Sequence, residues 1–283
     1  MHRSNARQTV FAGRFYPSHK KDITKLYETI LLSEKLKINY ELADEKAIGA
    51  IFPHAGFMYC GYQAIHALEI LRTAERRFET IIIVNPNHTG YGEDISVDGN
   101  KFWKTPFGDL EVDQDFVSSL GLSVSDLAHQ YEHSGEVILP FLNYALDYQF
   151  KIVPICLSLQ DHEHARKIAL AIFNANQVLK KEILVIASSD FSHFVSPEYG
   201  YMLDKPVIDA IEKLNSYEVE RLVKAKQISI CGFGPIMTLI EYMKLHCEDP
   251  ELSHLRGGHS GEVHPSSEVV HYHSFLGTDS SSH

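Results

Sequence analysis

Polar residues able to do acid–base or metal chemistry follow three apolar runs of the chain. His54 comes directly after one run, in Pro53-His54-Ala55-Gly56, and His88 follows the next run in the same way. A third run is followed by Ser188-Ser189-Asp190-Phe191-Ser192-His193, which sets an acid and a histidine three positions apart. Imidazole is the commonest metal ligand, and an Asp–His pair can exchange protons with a substrate. These segments predict a metal site, an acid–base site, or both.

Two further segments could complete such a site. Cys231 stands at the mouth of a predicted helix, whose first amides and dipole would stabilise a thiolate, so we expect a low thiol pKa. Two histidines and one cysteine from three loops would leave open coordination positions, which is typical of a catalytic or redox metal. The segment Glu132-His133-Ser134-Gly135-Glu136 precedes another apolar helical run. We expect His133 and Glu136 in the wall of the same pocket, outside the ligand set.

Each of these segments also has a purely structural interpretation. A single histidine in a loop often serves only packing, and Asp190 can simply cap the start of a helix. Ser134 and Glu136 can likewise be the capping residues of the helix that follows them. A buried cysteine is usually inert, which is what we expect of Cys60, Cys156 and Cys247.

The apolar runs that must position these residues predict a parallel sheet. They are rich in β-branched residues and apolar on consecutive positions, as strands covered on both faces are. The predicted strands are Ala47–Phe52, Thr80–Asn85, Phe150–Leu157 and Glu182–Ser188. Helical patterns alternate with them at Tyr62–Thr73, Glu136–Tyr148 and His162–Ala175. This alternation predicts a three-layer α/β/α fold, in which the carboxyl ends of the strands form the ligand-binding edge.

The remaining segments predict how the sheet is completed. Short runs with turn signals between Asp94 and Val112 indicate antiparallel hairpin strands added to the sheet, which would make it mixed. Further helices are predicted at Lys20–Lys35, Met202–Leu214 and Ser216–Ala225, with another ending near Leu245. A closing strand, Val269–Phe275, follows a segment rich in Gly, His and Ser. We predict a single domain over residues 1–283, with residues 277–283 frayed.

Composition excludes several classes of protein. The chain has 283 residues, 44% hydrophobic and 22% charged, as an ordinary globular protein does. Its 26 Lys and Arg against 37 Asp and Glu give a net charge of −11, which argues against nucleic-acid binding. The apolar runs are far shorter than the ~20 residues of a membrane span, and the first residues do not form a signal peptide. We therefore expect an unprocessed cytoplasmic protein that binds neither nucleic acid nor membranes.

These motifs, in this order, resemble those of the Memo family, which is related in fold to the class III extradiol dioxygenases. The resemblance covers nearly the whole chain. Its motifs are Ala12-Gly13-Arg14-Phe15-Tyr16-Pro17, Pro53-His54-Ala55-Gly56-Phe57-Met58-Tyr59-Cys60-Gly61, Pro86-Asn87-His88, Glu132-His133-Ser134-Gly135-Glu136-Val137-Ile138-Leu139-Pro140, Ser188-Ser189-Asp190-Phe191-Ser192-His193 and Ile230-Cys231-Gly232.

The resemblance implies an α/β/α fold with a deep pocket, and a metal ion held by His54, His88 and Cys231. In the dioxygenase relatives a Glu matches Cys231, and the residue that matches His193 is the acid or base. The resemblance thus implies that His193 and Asp190 are catalytic. A thiolate in place of a carboxylate softens the site, which favours iron, copper or zinc and argues against ordinary ring cleavage.

Three functional hypotheses remain open at this point. The first is a metal-dependent oxidoreductase that acts on a small substrate, with iron as the first choice of metal. The second is a non-catalytic metal-binding or adaptor protein whose pocket receives a peptide or partner, as the signalling role of animal Memo proteins suggests. The third is zinc-dependent hydrolysis with Asp190 or Glu136 as base. Microbial relatives often accompany a radical-SAM protein, which implies a partner in a modification pathway.

Overall fold

A mixed β-sheet forms the centre of the molecule in the computed structural model, which describes residues 5–282. Eight strands belong to this sheet, and seven of them follow the order β10-β11-β2-β8-β3-β7-β4, with β9 paired to β11. The strands are β1 Ala6–Arg7, β2 Lys46–Phe52, β3 Thr80–Pro86, β4 Ile95–Val97, β5 Phe102–Thr105, β6 Gly108–Glu111, β7 Lys151–Leu157, β8 Ile183–Ser188, β9 His193–Val195, β10 Pro250–His259 and β11 Val269–Asp279.

The four central strands run parallel to one another. β8 lies between β2 and β3 and pairs with both, and β3 pairs with β7 on its other side. The strands β4, β9, β10 and β11 pair in antiparallel fashion, so the sheet is mixed. The predicted central strands are confirmed. Their long apolar runs exist because both faces of the sheet are covered, and every residue of β3 and β8 is buried.

Helices cover both faces of the sheet. One layer contains α1, α2 and α5, and the other contains α6, α8 and α9. The helices are α1 Lys20–Glu34, α2 Phe57–Thr73, α3 Gln114–Ser119, α4 Asp126–Gln130, α5 Leu139–Ala145, α6 His162–Leu179, α7 Pro197–Glu212, α8 Ser216–Lys226 and α9 Phe233–His246. Three short 3-10 helices lie at Tyr40–Ala43, Ser260–Glu262 and Ser280–Ser282. The predicted three-layer α/β/α fold is confirmed.

Some predicted boundaries differ from the structure. Only β4 of the predicted hairpin region joins the main sheet, because β5 and β6 pair with each other and with β1 in a separate sheet. The helix expected from Glu136 begins at Leu139, where Pro140 occupies the first turn and needs no hydrogen bond for its nitrogen. Strand β10, which was not predicted, includes part of the segment rich in Gly, His and Ser.

The C-terminal residues are more regular than predicted. Fraying was expected from residue 277, but β11 continues to Asp279, paired with β2 through Asp279 and Lys46. These residues are held because β11 is an inner strand with a neighbour on each side. Residue 283 lies outside the described residues. Between residues 5 and 282, no helix is both long enough and apolar enough to cross a membrane.

The carboxyl ends of the parallel strands meet at one edge of the sheet. His54 follows β2, His88 follows β3, and Asp190 follows β8. Because β8 lies between β2 and β3, it brings Asp190 between the two histidine-bearing loops. The sheet topology therefore gathers residues that are up to 136 positions apart in the sequence.

Candidate metal centre

Three imidazoles meet at the carboxyl edge of the sheet. Ligand nitrogens of His54, His88 and His133 lie within 4.8 Å of one another. The ring centroids are 5.4 Å apart for His54 and His88, 5.3 Å for His54 and His133, and 4.7 Å for His88 and His133. His133 comes from the loop before α5, so this loop faces the ends of β2 and β3. Three converging imidazoles can hold a transition metal ion.

The buried carboxylate of Glu132 orients two of these rings. Its Oε1 lies 2.9 Å from Nδ1 of His88 and 3.3 Å from Nδ1 of His133. The same oxygen accepts hydrogen bonds from the backbone nitrogen and the hydroxyl of Ser134, and Oε2 accepts one from the backbone nitrogen of His88 at 2.6 Å. A carboxylate can only accept, so both Nδ1 atoms carry protons, and Nε2 is the ring nitrogen left as a possible metal ligand.

Hydrogen bonds stabilise the negative charge of the Glu132 carboxylate. Burial favours the neutral acid, but the hydrogen bonds from His133 and His88 outweigh it and hold the pKa of Glu132 well below its usual range. The carboxylate is therefore ionised at neutral pH. Through these hydrogen bonds the charged carboxylate orients both rings.

A serine fixes the tautomer of His54. The Ser188 hydroxyl donates its proton to the carbonyl of Ser134 at 2.7 Å, so it must accept from Nδ1 of His54, which lies 2.8 Å away. Nε2 of His54 is therefore the atom with a free lone pair. Burial, followed by the nearby His133 and His88, holds the pKa of His54 well below its usual value. This ring is neutral, as a metal ligand must be.

Cys231 lies next to His54. Its Sγ is 3.1 Å from Nε2 of His54 and accepts a hydrogen bond from the Asp190 nitrogen at 3.3 Å. The expected low pKa of this thiol is wrong for the metal-free chain, because burial, and then the charge of Asp190, raise its pKa well above the ordinary value. Helix α9 begins two residues later, with Gly232 as its cap, and its dipole does not overcome this burial.

Gly232 allows the Cys231 loop to pack against the end of β8. A Cβ at this position would overlap the carbonyl oxygen of Ser188 and lie 2.6 Å from Cβ of Ser189. The glycine therefore permits the backbone of the Cys231 loop to approach the end of β8 closely. This contact holds the thiol next to His54, whereas its sulfur is not within 4.8 Å of the ligand atoms of all three histidines.

Asp190 and His193 differ in their surroundings. The carboxylate of Asp190 accepts a hydrogen bond from the backbone nitrogen of His54 at 2.8 Å, and burial raises its pKa. It thus fixes the loop that carries His54. His193 is partly exposed, and its Nδ1 lies 2.8 Å from the Ser229 carbonyl. Because a carbonyl only accepts, Nδ1 carries the proton and Nε2 remains free to accept one.

Glu136 binds the N-terminal segment. Its carboxylate forms a buried ion pair with Arg7 at 2.6 Å and accepts the Tyr16 hydroxyl at 2.6 Å. It also accepts the backbone nitrogen of Phe11 at 2.9 Å. These bonds hold the segment whose Phe15 ring packs on His133, with centroids 4.9 Å apart. Glu136 thus fixes the position of the segment that packs on His133.

The group of histidines in the structure differs in part from the predicted ligand set. His54 and His88 come together as expected, and His133 joins them, whereas we expected it outside the ligand set. Sequence analysis did not single out Glu132, although its position next to His133 was a signal for an orienting carboxylate. The ligand set itself stays a prediction.

Comparison with known proteins identifies the family. The family model for Memo-like proteins matches residues 7–276. The chain belongs to the Memo family. A MEMO1 family protein from Methanococcoides burtonii is 37% identical over 94% of this chain and 97% of its own, and one from Archaeoglobus fulgidus is 38% identical over 92% and 95%. An uncharacterized protein from Escherichia coli K12 has a solved structure with a TM-score of 0.49, 14% identity, and coverage of 74% of this chain and 90% of that chain.

The donor set of this Memo-family chain fits a borderline or soft transition metal ion. Three imidazole nitrogens and one nearby sulfur suit iron, copper or zinc, whereas magnesium and calcium prefer oxygen ligands. The hydrogen bonds from Nδ1 of His54 and His88 prepare both rings for metal binding.

Proposed function

We propose that this Memo-family protein holds a redox-active metal ion, iron in the first place, and uses it in redox chemistry on a small substrate. The observation that carries the proposal is the convergence of three imidazoles whose Nδ1 atoms are all bound to acceptors. Their Nε2 lone pairs then point away from those acceptors. His54, His88 and His133 would bind the ion, and the Cys231 sulfur next to His54 would complete the set.

The surrounding residues would bind and orient the substrate. When present, the metal supplies one-electron chemistry and Lewis acidity, and four protein ligands leave open positions on a six-coordinate ion. His193 would accept a proton at Nε2, since the Ser229 carbonyl holds the proton of Nδ1 in place. Phe11 and Phe15, packed around His133, would limit the access of water to this side of the pocket.

The metal part of the proposal is tested by counting bound iron. Wild-type protein, His88→Ala and His19→Ala are purified without oxygen, loaded with Fe(II) and dialysed against a weak chelator. His19 is exposed and forms no capping hydrogen bond, so its variant is the matched control. We expect His88→Ala to hold one equivalent less than the other two proteins. Equal iron content in all three would contradict the proposed site.

The thiol and the redox activity need separate measurements. Substitution of cobalt should give a sulfur-to-cobalt charge-transfer band that Cys231→Ser removes, and its absence from the wild type would exclude the thiol as ligand. Oxygen uptake by the iron-loaded protein with ascorbate as electron donor should exceed that of free Fe(II) and fall in His193→Gln. A tightly held metal without oxygen uptake would favour the non-catalytic or adaptor role.

A further inference from the structure

A second group of ligand-type side chains lies away from the three imidazoles. It consists of Asp204 on α7 and of His271 and His273 on β11, whose ligand atoms lie within 4.8 Å of one another. All three residues are almost completely buried, with 0%, 0% and 1% of their surface exposed. This group shares no residue with the proposed iron site.

The polar atoms of this group lack hydrogen-bond partners. Within residues 5–282, no partner is found for Oδ2 of Asp204, for either ring nitrogen of His271, or for Nε2 of His273. Leaving a buried donor or acceptor unpaired destabilises the fold, and a buried unpaired carboxylate is more costly still. Three of these atoms, one from each residue, lie within 4.8 Å of one another and therefore indicate a ligand that binds them.

The distances fit a tetrahedral metal ion. Oδ2 of Asp204 lies 3.7 Å from Nδ1 of His271 and 3.6 Å from Nε2 of His273, too far for hydrogen bonds. Zinc bonds of about 2.1 Å in a tetrahedron separate neighbouring ligand atoms by roughly 3.4 Å. The observed separations are therefore close to the edges of a zinc tetrahedron.

Neighbouring residues hold the ligands in the orientation that a metal requires. The other carboxylate oxygen of Asp204 accepts the Ser192 hydroxyl at 2.5 Å. Nδ1 of His273 lies 2.9 Å from Nε2 of His254, so a proton on Nδ1 can be donated there and Nε2 keeps its lone pair. His271 and His273 are two residues apart on one strand, and their side chains therefore share a face.

We propose that Asp204, His271 and His273 form a zinc site, with Oδ2, Nδ1 and Nε2 as the respective ligand atoms and a fourth position for a water molecule. Two nitrogens and one carboxylate oxygen are a donor set that zinc accepts. The ion would join α7 to β11, and it would neutralise the charge of Asp204 without protonating either histidine.

The proposed zinc site also contacts the loop that follows β8 and leads to His193. The backbone of His271 bonds to Phe191 and Ser192, with distances of 2.9 and 2.8 Å, and Ser192 binds Asp204 through its hydroxyl. Zinc would thus stabilise the segment that carries His193.

The test uses full-length protein with the first site disabled by His54→Ala and His88→Ala. Zinc sulfate is titrated in competition with a chromogenic chelator. We expect this double variant to bind one equivalent of zinc, and the further change Asp204→Asn to weaken that binding at least 100-fold. Asp209→Asn on the same helix is the matched control, since the Asp209 carboxylate pairs with Lys205 at the surface, and it should keep the zinc.

Two outcomes would overturn the proposal. One is a double variant that binds no zinc at micromolar concentration, and the other is an Asp204→Asn protein that keeps full affinity. Circular dichroism will show whether Asp204→Asn folds. If it does not, anomalous diffraction at the zinc edge on wild-type crystals tests whether zinc occupies the site. A peak between the three side chains supports the site, and no peak there after zinc soaking refutes it.

Discussion

The carboxylate of Glu132 offers the sharpest test of how the imidazoles are prepared. In Glu132→Gln, one carboxylate oxygen becomes an NH2 group, which is a donor. Oε2 faces the backbone N–H of His88 at 2.6 Å, and Oε1 faces four donors from His88, His133 and Ser134. Whichever way the amide turns, at least one donor then faces another donor. The negative charge that supports the two rings is lost as well.

The size of the effect follows from these contacts. Removing the partner of one metal-bound histidine typically lowers metal affinity by about 10- to 100-fold, or ~1.4–2.7 kcal/mol. Because one carboxylate serves both His88 and His133, we expect the upper end of this range. The free energy of unfolding of the metal-free protein should fall by ~1–3 kcal/mol, since a buried donor is left unpaired.

The assay is a titration of iron or zinc against a chromogenic chelator, with urea unfolding as the measure of stability. Glu34→Gln is the matched control, because Glu34 is also buried and lies 3.1 Å from a ring nitrogen of His66, on α1 away from the pocket. It should lose stability and keep its metal affinity. If Glu132→Gln binds metal within threefold of the wild type, the argument that this carboxylate orients the rings is refuted.

Three further predictions follow from the described contacts. Gly232→Ala should lower metal affinity at least tenfold and the free energy of unfolding by ~1–3 kcal/mol, since the new Cβ overlaps the Ser188 carbonyl. Glu136→Gln should lower the free energy of unfolding by ~3–5 kcal/mol in a denaturant titration, because it leaves the charge of the buried Arg7 without its ion-pair partner. Burial lowers the pKa of His129, so the unfolded chain binds the proton more readily than the folded one. Calorimetry on metal-free protein should therefore show stability falling from pH 7 to pH 5, by up to ~1.4 kcal/mol per pH unit for each such histidine.

Each of these predictions has its own control. Gly234→Ala should be milder than Gly232→Ala, since its Cβ would press on side chains rather than on backbone, and an equal loss would contradict the steric argument. Glu182→Gln removes an exposed ion pair and should cost at most ~1 kcal/mol, whereas a loss equal to that of Glu136→Gln would count against the buried pair. His129→Gln should flatten the pH dependence of stability, and an unchanged slope would assign it to other groups.

The sequence predicts the core of the fold well because the physical signal there is strong. Strands β2, β3, β7 and β8 are buried on both faces, so their apolar runs are unbroken. Strand β10 lies at the edge of the sheet, and Gly257 and Gly258 within it resemble a loop. Helix α2 begins at Phe57 rather than at the predicted Tyr62, and Gly61 near its start packs closely against Ile30.

The site was predictable only in part. Strand ends at one sheet edge bring His54 and His88 together, which the alternation of strands and helices already indicates. The place of His133 depends on the path of a loop, which local patterns do not determine. The group of His271 and His273 could have been found, because two histidines two positions apart on a predicted strand share a face. Their partner Asp204 could not, since it comes from a distant helix.

The insertion of β8 between β2 and β3 has a consequence for a chain that is still being made on the ribosome. His54 and His88 are both synthesised long before Ile183–Ser188, yet β2 and β3 have no direct pairing with each other in the finished sheet. A nascent chain that stops short of β8 thus holds two of the imidazoles without the strand that sets their spacing. Pairings between such distant segments form slowly. We expect metal capture to follow, and not to guide, the assembly of the central sheet.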